Sequence, residues 1–375
     1  MLYFDYAANT PVDTDVLSVF IDETKEYFGN ANSRHAYGRK ANQRMTELTG
    51  QIAELLRVAS NELIYTSGAS ESNNLAIKGV AKMGRNQGKH IISTCLEHSS
   101  VSGTLTALQN EGYEIELVDI KEDGCVDLEH LHELLRKDTI LVSVCYVDSE
   151  LGAVQPIRAI GELLGQYPNC KFHVDATQAI GKIPVDLEKA DLISFTPHKF
   201  YGLNGCGVLV KKEGTILEPL IHGGVSTTLY RSGTPFPGMT AAIYEALKQA
   251  EEHREERYEY VKKQNLFLRK ELKKYPLVRI NSPEGAMPFI LNVSVKGVKA
   301  GVWQEEMDKH EVCISTKSAC SVPNTPSRPV YAVTNDKKNA MCSWRLSLSH
   351  LTTQEEVEQF LKIFEICYTK LMAAN

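Results

Sequence analysis

The sequence predicts an α/β protein, with a large domain built on a mostly parallel sheet covered by helices and a smaller α+β domain. From about residue 60 to residue 210, short β-rich runs alternate with amphipathic stretches, an order typical of an open sheet with helices on both faces. After a long charged stretch at 241–275 the pattern changes, and strands and helices are more scattered. The 375 residues, 43% of them hydrophobic, suffice for a large core.

In the first region the predicted strands are, in order, ELIYTS, HIISTC, YEIELVD, TILVSVCYV, CKFHVDA, ADLISFT and GCGVLVKK. The predicted helices between them are ESNNLAIKGVAKMG, a segment through LTALQNEG, LEHLHELLRK and IRAIGELLGQY. Ligands of open α/β sheets bind beyond the carboxyl ends of the strands. We therefore expect a functional site in the loops that follow these strands.

The second region begins with one predicted long helix over 241–275, whose AEEHREERYEYVKKQ stretch is typical of a solvated helix face. Beyond it, VRIN, FILNVSV, EVCIST and WRLSLS are predicted strands, and VWQEEMDK and EEVEQFLKIFEICYTKLM are predicted helices. We place the domain boundary near residue 250. The large domain then spans 15–250, and the small domain comprises 1–14 and 251–375.

Composition and charge exclude several classes of protein. A net charge of -6 without long basic runs argues against a dedicated nucleic-acid-binding protein. No stretch approaches the roughly 18 apolar residues of a membrane helix, and MLYFDYAANTPVD lacks the features of a signal peptide. The nine cysteines include no CxxC pair, so we expect no metal site, no disulfide framework, reduced thiols and a cytoplasmic protein.

Two strand ends carry residues that suit a cofactor and have an ordinary structural alternative. After ELIYTS, the turn at Gly68, Ala69 and Ser70 opens a helix, where backbone N–H groups form a phosphate cradle. The alternative is a common helix start with Glu71 in its first turn. After CKFHV, Asp175 either holds a proton on a ring nitrogen or caps the next helix.

Lys199 follows the apolar strand ADLISF, where burial would lower the pKa of its amine and suit it to a Schiff base with a carbonyl cofactor. The alternative is a lysine that reaches out to solvent. A phosphate cradle, an acid and an amine are together what pyridoxal phosphate requires. His98, in CLEHSS, could stack on the ring, although a lone histidine is more often structural.

Eight motifs in order resemble those of the cysteine desulfurases, pyridoxal-phosphate enzymes of fold type I in the class V aminotransferase group. They are FDYAANTPV, GNANSRHAYG, TSGASESNN, HVDATQAIGK, HKFYGLNG, RSGT, the SxSAC-like KSAC and the RxSLSxxTT-like RLSLSHLTT. Each is short, but their order spans nearly the whole chain. The resemblance implies pyridoxal 5'-phosphate as cofactor and a homodimer with shared sites.

The resemblance also implies roles for single residues. Lys199 would bind the cofactor covalently, Asp175 would keep its pyridine nitrogen protonated, and Gln178 would hydrogen-bond its phenolic oxygen. His98 would stack on the ring and transfer protons. The phosphate would be held by Gly68, Ala69, Ser70, Thr196 and His198, and by Thr234 of the neighbouring protomer.

The substrate implied by the resemblance is L-cysteine. Arg345 would pair with its carboxylate, a task that suits a forked guanidinium, and Asn32 would assist. In STKSACSVPNTPSRP, the thiol of Cys320 would take sulfur from the substrate as a persulfide, with alanine as the other product. It would then pass the sulfur to an acceptor protein; a surface cysteine without a role is the alternative.

The sequence departs from the family pattern around the entrance to the site. Its NNE motif is Asp148-Ser149-Glu150, so the shorter Ser149 replaces an amide that commonly contacts the cofactor. The segment before RSGT reads GGVSTTLY, and His350, Leu203 and Asn204 replace an arginine, a proline and a lysine. These changes indicate a divergent paralogue with altered activity, partner or substrate.

Two other functions stay open at this point. Another class V lyase or aminotransferase, such as a selenocysteine lyase, would not need Cys320; a non-catalytic sulfur carrier or adaptor would not need Lys199, Asp175 and His98. The segment of about 25 residues from Cys320 to Arg345 is long, as in the branch that supplies iron–sulfur scaffolds and tRNA-thiolation enzymes. That branch suggests the acceptor class by analogy.

Overall fold

The computed structural model describes residues 1–224, 228–317 and 325–373. Its centre is a seven-stranded sheet in the order β2-β8-β7-β6-β5-β3-β4, in which only β8 runs antiparallel to its neighbours. The strands are β2 (Leu63–Thr66), β3 (His90–Thr94), β4 (Glu114–Val118), β5 (Thr139–Cys145), β6 (Lys171–Asp175), β7 (Leu192–Phe195) and β8 (Gly207–Lys211). The predicted mostly parallel sheet is confirmed.

Apolar side chains cover both faces of this sheet. The neighbours Ile91 and Ile92 in β3 belong to two different buried clusters, as do Leu141 and Val142 in β5, because successive strand residues point to opposite faces. The α-helices described between residues 14 and 272 are α1 (Thr14–Glu26), α2 (Ala36–Leu56), α3 (Ala69–Gly84), α4 (Ser99–Asn110), α5 (Leu128–Leu134), α6 (Ile157–Leu164), α7 (Pro237–Glu252) and α8 (Arg254–Leu272).

The other described residues form two small sheets and four α-helices. A three-stranded antiparallel sheet joins β12 (Ser343–Ser347), β10 (Ile290–Val295) and β9 (Val278–Ile280). The strand β1 (Leu2–Tyr3) pairs in parallel with β11 (Val312–Cys313). The helices are α9 (Ala300–Asp308), α10 (Arg328–Thr334), α11 (Lys337–Met341) and α12 (Gln354–Ala373). The division into 15–250 and the remainder stays a prediction.

The single helix predicted over 241–275 is wrong. It is two helices, because His253 has φ -107° and ψ 6° and its N–H closes α7 by bonding to the carbonyl of Gln249. Nor is α8 only a solvated face, since Val261, Leu268 and Leu272 are fully buried. No glycine or proline marks the break at His253, so the sequence pattern runs through it.

Among the described helices, none combines the length with the apolar composition that a membrane crossing requires. The eight cysteines in the described part of the chain are free thiols. Three of them, Cys95, Cys145 and Cys313, are predicted within strands; Cys145 ends β5 and Cys313 ends the two-residue β11, whereas Cys95 follows β3. Cys95 and Cys313 differ from Cys145 in burial, since both are partly exposed and Cys145 is buried.

Candidate active site

A cavity of about 380 Å³ lies where β5, β6 and β7 end and α3 begins. The sheet brings together there most of the residues that the sequence singled out. Those that line it are Gly68, Ala69, Ser70, His98, Ser149, Asp175, Gln178, Thr196, His198, Lys199 and Arg345. The predicted nucleophile, Cys320, lies outside the described residues.

Lys199 enters the cavity from a 3-10 helix, Pro197–Lys199, which directly follows β7. Its Nζ donates to the carbonyl oxygens of Ala7, at 2.9 Å, and Ala8, at 2.6 Å. These carbonyls belong to the N-terminal FDYAANTP segment, whose Ala7 N–H donates to Ser347 Oγ at 2.9 Å. The amine is therefore held against the backbone inside the site and does not reach out to solvent.

Asp175 ends β6 and is 5% exposed. Its Oδ1 accepts from the N–H of Thr177 at 3.0 Å, so it caps the following turn, as one of the two sequence interpretations expected. Its Oδ2 accepts from Asn73 Nδ2 at 2.8 Å, and this amide also reaches Ser100 Oγ at 2.9 Å. The carboxylate is thereby fixed in the cavity wall, which leaves both sequence interpretations compatible.

His98 is the N-cap of α4, so it too has a structural task within the cavity wall. Its Nδ1 accepts from the Ser100 N–H at 3.2 Å and lies 2.9 Å from Ser100 Oγ. The ring proton is therefore on Nε2. Burial lowers the pKa of His98, and Lys199 lowers it further, against an opposing effect of Asp175. The imidazole is neutral at pH 7.

The start of α3 has the backbone geometry of an anion site. Gly68 has φ +156°, a conformation that L side chains rarely adopt, and the first N–H groups of a helix have no acceptor within it. The turn also packs tightly on β8, because a Cβ on Gly207 would lie 2.5 Å from the Gly68 carbonyl carbon. Ala69 and Ser70, whose N–H groups are among the first of α3, line the cavity.

Thr196 and His198 stand beside this helix start. The Thr196 hydroxyl donates to the Cys206 carbonyl at 2.8 Å, so it accepts from His198 Nδ1 at 2.9 Å. Burial, with Lys199 and Lys182 nearby, lowers the pKa of His198 to about 4. Its Nε2 is therefore an unprotonated nitrogen, and a bound dianion would raise the pKa and make it a donor.

An ion pair that the sequence did not reveal closes one side of the cavity. Glu71 Oε2 accepts from the Ser67 N–H at 2.7 Å, and Glu71 Oε1 accepts from Arg231 Nε at 2.9 Å. Arg231 belongs to the RSGT motif, so this pair ties that motif to α3. Thr234 lies in an adjoining cavity of about 220 Å³, with Ser67 in the wall between the two.

Arg345, in β12, is 2% exposed. Its Nη1 donates to the Ser149 carbonyl at 2.8 Å and its Nη2 to Asp5 Oδ1 at 2.7 Å. Its Nε is buried and has no hydrogen-bond partner among the described residues. Arg345 thus lines the cavity and keeps one N–H donor, that of Nε, unpaired among the described residues. Asp5 lies in the FDYAANTPV motif, but no sequence pattern indicates its pairing with Arg345.

Asn32 is exposed and does not line the cavity; its N–H bonds to Asn30 Oδ1 at 2.9 Å. Its role at the substrate, like those of Thr234 and Cys320, stays a prediction. Several residues at or near the cavity were not predicted as part of the site, Cys145 and Lys182 among them. Cys145 lines the cavity, with a pKa raised by burial, and Lys182 lies behind Gln178.

The cavity fits pyridoxal phosphate in its chemistry. The N–H groups at the start of α3 suit a phosphate, Asp175 suits a pyridinium nitrogen, and Lys199 suits the aldehyde. Asn73 Oδ1, Thr177 Oγ1 and Arg345 Nε are buried without a hydrogen-bond partner in the described part of the chain. Unpaired buried groups are costly, so they indicate a ligand that pairs with some of them.

The comparisons with known proteins agree with this chemistry. The aminotransferase class-V family matches residues 2–360. A protein of Neisseria meningitidis serogroup C named cysteine desulfurase IscS is 38% identical over 364 residues, which cover 95% of this chain and 89% of the relative. A solved NifS-like protein has a TM-score of 0.90 at 34% identity, with 97% of this chain and 98% of that chain covered.

A second solved structure, SspA in complex with cysteine, has a TM-score of 0.82 at 31% identity and covers 94% of this chain and all of that chain, 100%. Both structures share the central sheet and its helices with this protein. The family match and these relatives extend over nearly the whole sequence. The chain therefore belongs to the class-V aminotransferase family and, within it, to the pyridoxal-phosphate-dependent cysteine desulfurases.

Proposed function

We propose that this chain converts L-cysteine to L-alanine, leaves the sulfur as a persulfide on Cys320 and then donates it to an acceptor protein. The observation that carries the proposal is the convergence of the Lys199 amine, the Asp175 carboxylate and the Arg345 guanidinium on one cavity. The neighbour SspA, whose structure contains cysteine, supports the choice of substrate.

The cofactor, when bound, supplies a pyridinium ring that draws electrons away from the substrate carbons. Lys199 binds it and Asp175 holds the ring proton, because Asn73 and Thr177 fix both carboxylate oxygens. Gln178 donates to the phenolic oxygen of the ring. His98, neutral and capping α4, stacks on the ring face and exchanges a proton at its imidazole.

The remaining residues that line the cavity bind the negatively charged groups of the cofactor and the substrate. Gly68, Ala69, Ser70, Thr196 and His198 hold the phosphate, with Thr234 reaching the site of the partner in a homodimer. Arg345 binds the substrate carboxylate through its guanidinium, which lines the cavity. Ser149 contributes by its backbone, since its carbonyl orients Arg345. Asn32, which does not line the cavity, assists Arg345 in binding the substrate carboxylate.

The sulfur step belongs to Cys320. Its thiolate attacks the substrate sulfur, so that an S–S bond forms while the bond between sulfur and the substrate β-carbon breaks. The electron pair of that bond stays with carbon, which takes up a proton and leaves as alanine. A thiolate is required because the thiol is a weak nucleophile.

The acceptor in this proposal is an iron–sulfur scaffold or a tRNA-thiolation enzyme, so the protein contacts another protein and not the nucleic acid itself. The support is the length of the segment from Cys320 to Arg345 and the mildly acidic charge of the chain. We also place the protein in the cytoplasm, because Cys320 must be a free thiol to accept sulfur and a reducing compartment keeps thiols free.

The test uses Cys320→Ser with Cys125→Ser, a half-buried thiol on a turn far along the chain from the motifs, as the matched control. Both variants should keep the yellow cofactor. Only Cys320→Ser should lose alanine release from L-cysteine and the added sulfur in intact-mass spectra. Normal turnover in Cys320→Ser, or sulfur mapped to another cysteine, would contradict the mechanism, and alanine from selenocysteine alone would favour a selenocysteine lyase.

A further inference from the structure

Behind the cofactor cavity lies a buried lysine that the proposed chemistry does not use. Lys182, one turn beyond Gln178 in the HVDATQAIGK motif, is 7% exposed. Its Nζ donates to Gln178 Oε1 at 2.8 Å, and the structure records no ion pair for it among the residues described. An ammonium buried beside an uncharged amide is expensive, so its presence calls for a reason.

The neighbours of Gln178 determine which way its carboxamide points. Lys182 Nζ carries N–H donors in either protonation state and donates here, so the atom of Gln178 that faces it is the oxygen. On the other side, Gln178 meets the Ala7 carbonyl at 2.9 Å, which only accepts, so the atom there must be the nitrogen. The two contacts agree, and together they turn the amide N–H groups toward the cavity.

The same carbonyl connects this amide to the reactive amine. Ala7 O accepts from Gln178 Nε2 and from Lys199 Nζ, each at 2.9 Å. A chain of contacts thus runs from Lys182 through Gln178 and Ala7 to Lys199. Gln178 Nε2 carries two hydrogens, and only one is needed for Ala7, so the second is available to a ligand in the cavity.

We propose that Lys182 is a positioning residue, which locks the Gln178 carboxamide with its N–H donor toward the cofactor ring. The inference rests on the proposed function, in which Gln178 donates to the phenolic oxygen. Without Lys182, Oε1 would lose its donor and the amide could turn to present oxygen to the ring oxygen, which repels it. Burial, then Lys199 and Arg345, lowers the pKa of Lys182 to about 7, which agrees with a close, desolvated contact.

The experiment measures the pH midpoint of the visible absorbance change of the cofactor-loaded protein. A donor to the phenolic oxygen stabilises its deprotonated form, so Lys182→Met should raise this midpoint by about one pH unit. Gln178→Leu should raise it equally. In the double variant the two shifts should not add, because Lys182 acts through Gln178.

The matched control is Lys211→Met. Lys211 is also buried, at 6% exposure, and donates to backbone carbonyls, but it pairs with Leu192 at the start of β7, the edge of the sheet away from the cavity. The Lys211→Met variant should be less stable than the wild type but should keep the wild-type pH midpoint of the absorbance change. Should Lys182→Met not fold, Lys182→Leu carries the test, because it also removes the donor and should raise the midpoint likewise. Lys182→Arg keeps a donor and should preserve the wild-type midpoint.

Additive shifts in the double variant, an unmoved midpoint in Lys182→Met, or a Lys182→Arg midpoint as high as that of Gln178→Leu would each overturn the positioning role. A wild-type protein that never gains visible absorbance with pyridoxal phosphate would instead overturn the proposed function. The two failures are therefore distinguishable.

Discussion

The ion pair between Glu71 and Arg231 should couple the two side chains by about 1–2 kcal/mol. Exposed ion pairs contribute about 0.2–1 kcal/mol, whereas hydrogen bonds to charged groups contribute about 1.5–3 kcal/mol. Here the Arg231 and Glu71 side chains are 28% and 14% exposed, and Nε lies 2.9 Å from Oε1. The contact is thus intermediate between a surface pair and a buried one.

The coupling should depend on pH. Burial raises the pKa of Glu71, but the hydrogen bonds from Arg231 and Ser67 outweigh it and hold the pKa below the ordinary value of a glutamate. A carboxylate with a lowered folded-state pKa stabilises the protein above its unfolded-state pKa, about 4.3. That stabilisation is lost as the pH falls through the lower folded-state pKa.

The assay is denaturant unfolding of wild type, Arg231→Met, Glu71→Gln and the double variant, at pH 7 and at about pH 3. The exposed pair Arg158–Glu162, with side chains 67% and 58% exposed, is the matched control and should couple by less than about 0.5 kcal/mol. A Glu71–Arg231 coupling no larger than this control at pH 7, or one unchanged in acid, would refute the reasoning.

Three further outcomes are expected. Lys199→Ala should stay folded by circular dichroism but never turn yellow with pyridoxal phosphate; a yellow variant would exclude Lys199 as the attachment point. Arg345→Lys, which keeps charge but loses the fork, should raise KM for L-cysteine about tenfold or more, and steady-state kinetics with an unchanged KM would contradict its role. Light scattering should give a dimer; a monomer with full cofactor occupancy would contradict the shared site that includes Thr234.

The sheet was predictable because its signal is local. Neighbouring residues such as Ile91–Ile92 and Leu141–Val142 make both faces of their strands apolar, which is typical of strands buried on two sides. The strand-end residues followed from the same pattern, because parallel strands deliver their carboxyl ends to one edge. This is why Asp175 and Lys199 meet in one cavity although 24 residues separate them along the chain (199 minus 175).

The contacts that orient those residues were not predictable from local patterns. Asp5 and Arg345 are 340 positions apart, and Lys199 finds its acceptors 192 and 191 positions away, at Ala7 and Ala8. No short stretch of sequence indicates which distant residues form such hydrogen bonds. The break at His253 was missed for a different reason, since a backbone turn there needs no special residue.

The pairing of β1 with β11 makes the order of folding differ from the order of synthesis. Strands β2 to β8 lie between residues 63 and 211 and need no later segment to pair, whereas residues 2–3 wait for residues 312–313, and Asp5 waits for Ser347. Contacts so distant in sequence form late, because closing a long loop costs entropy before it gains contacts. We expect cofactor capture to lag behind sheet formation in stopped-flow refolding, since Arg345 pairs with Asp5 and completes the cavity only when the C-terminal part closes on the N-terminal segment; simultaneous phases would contradict this.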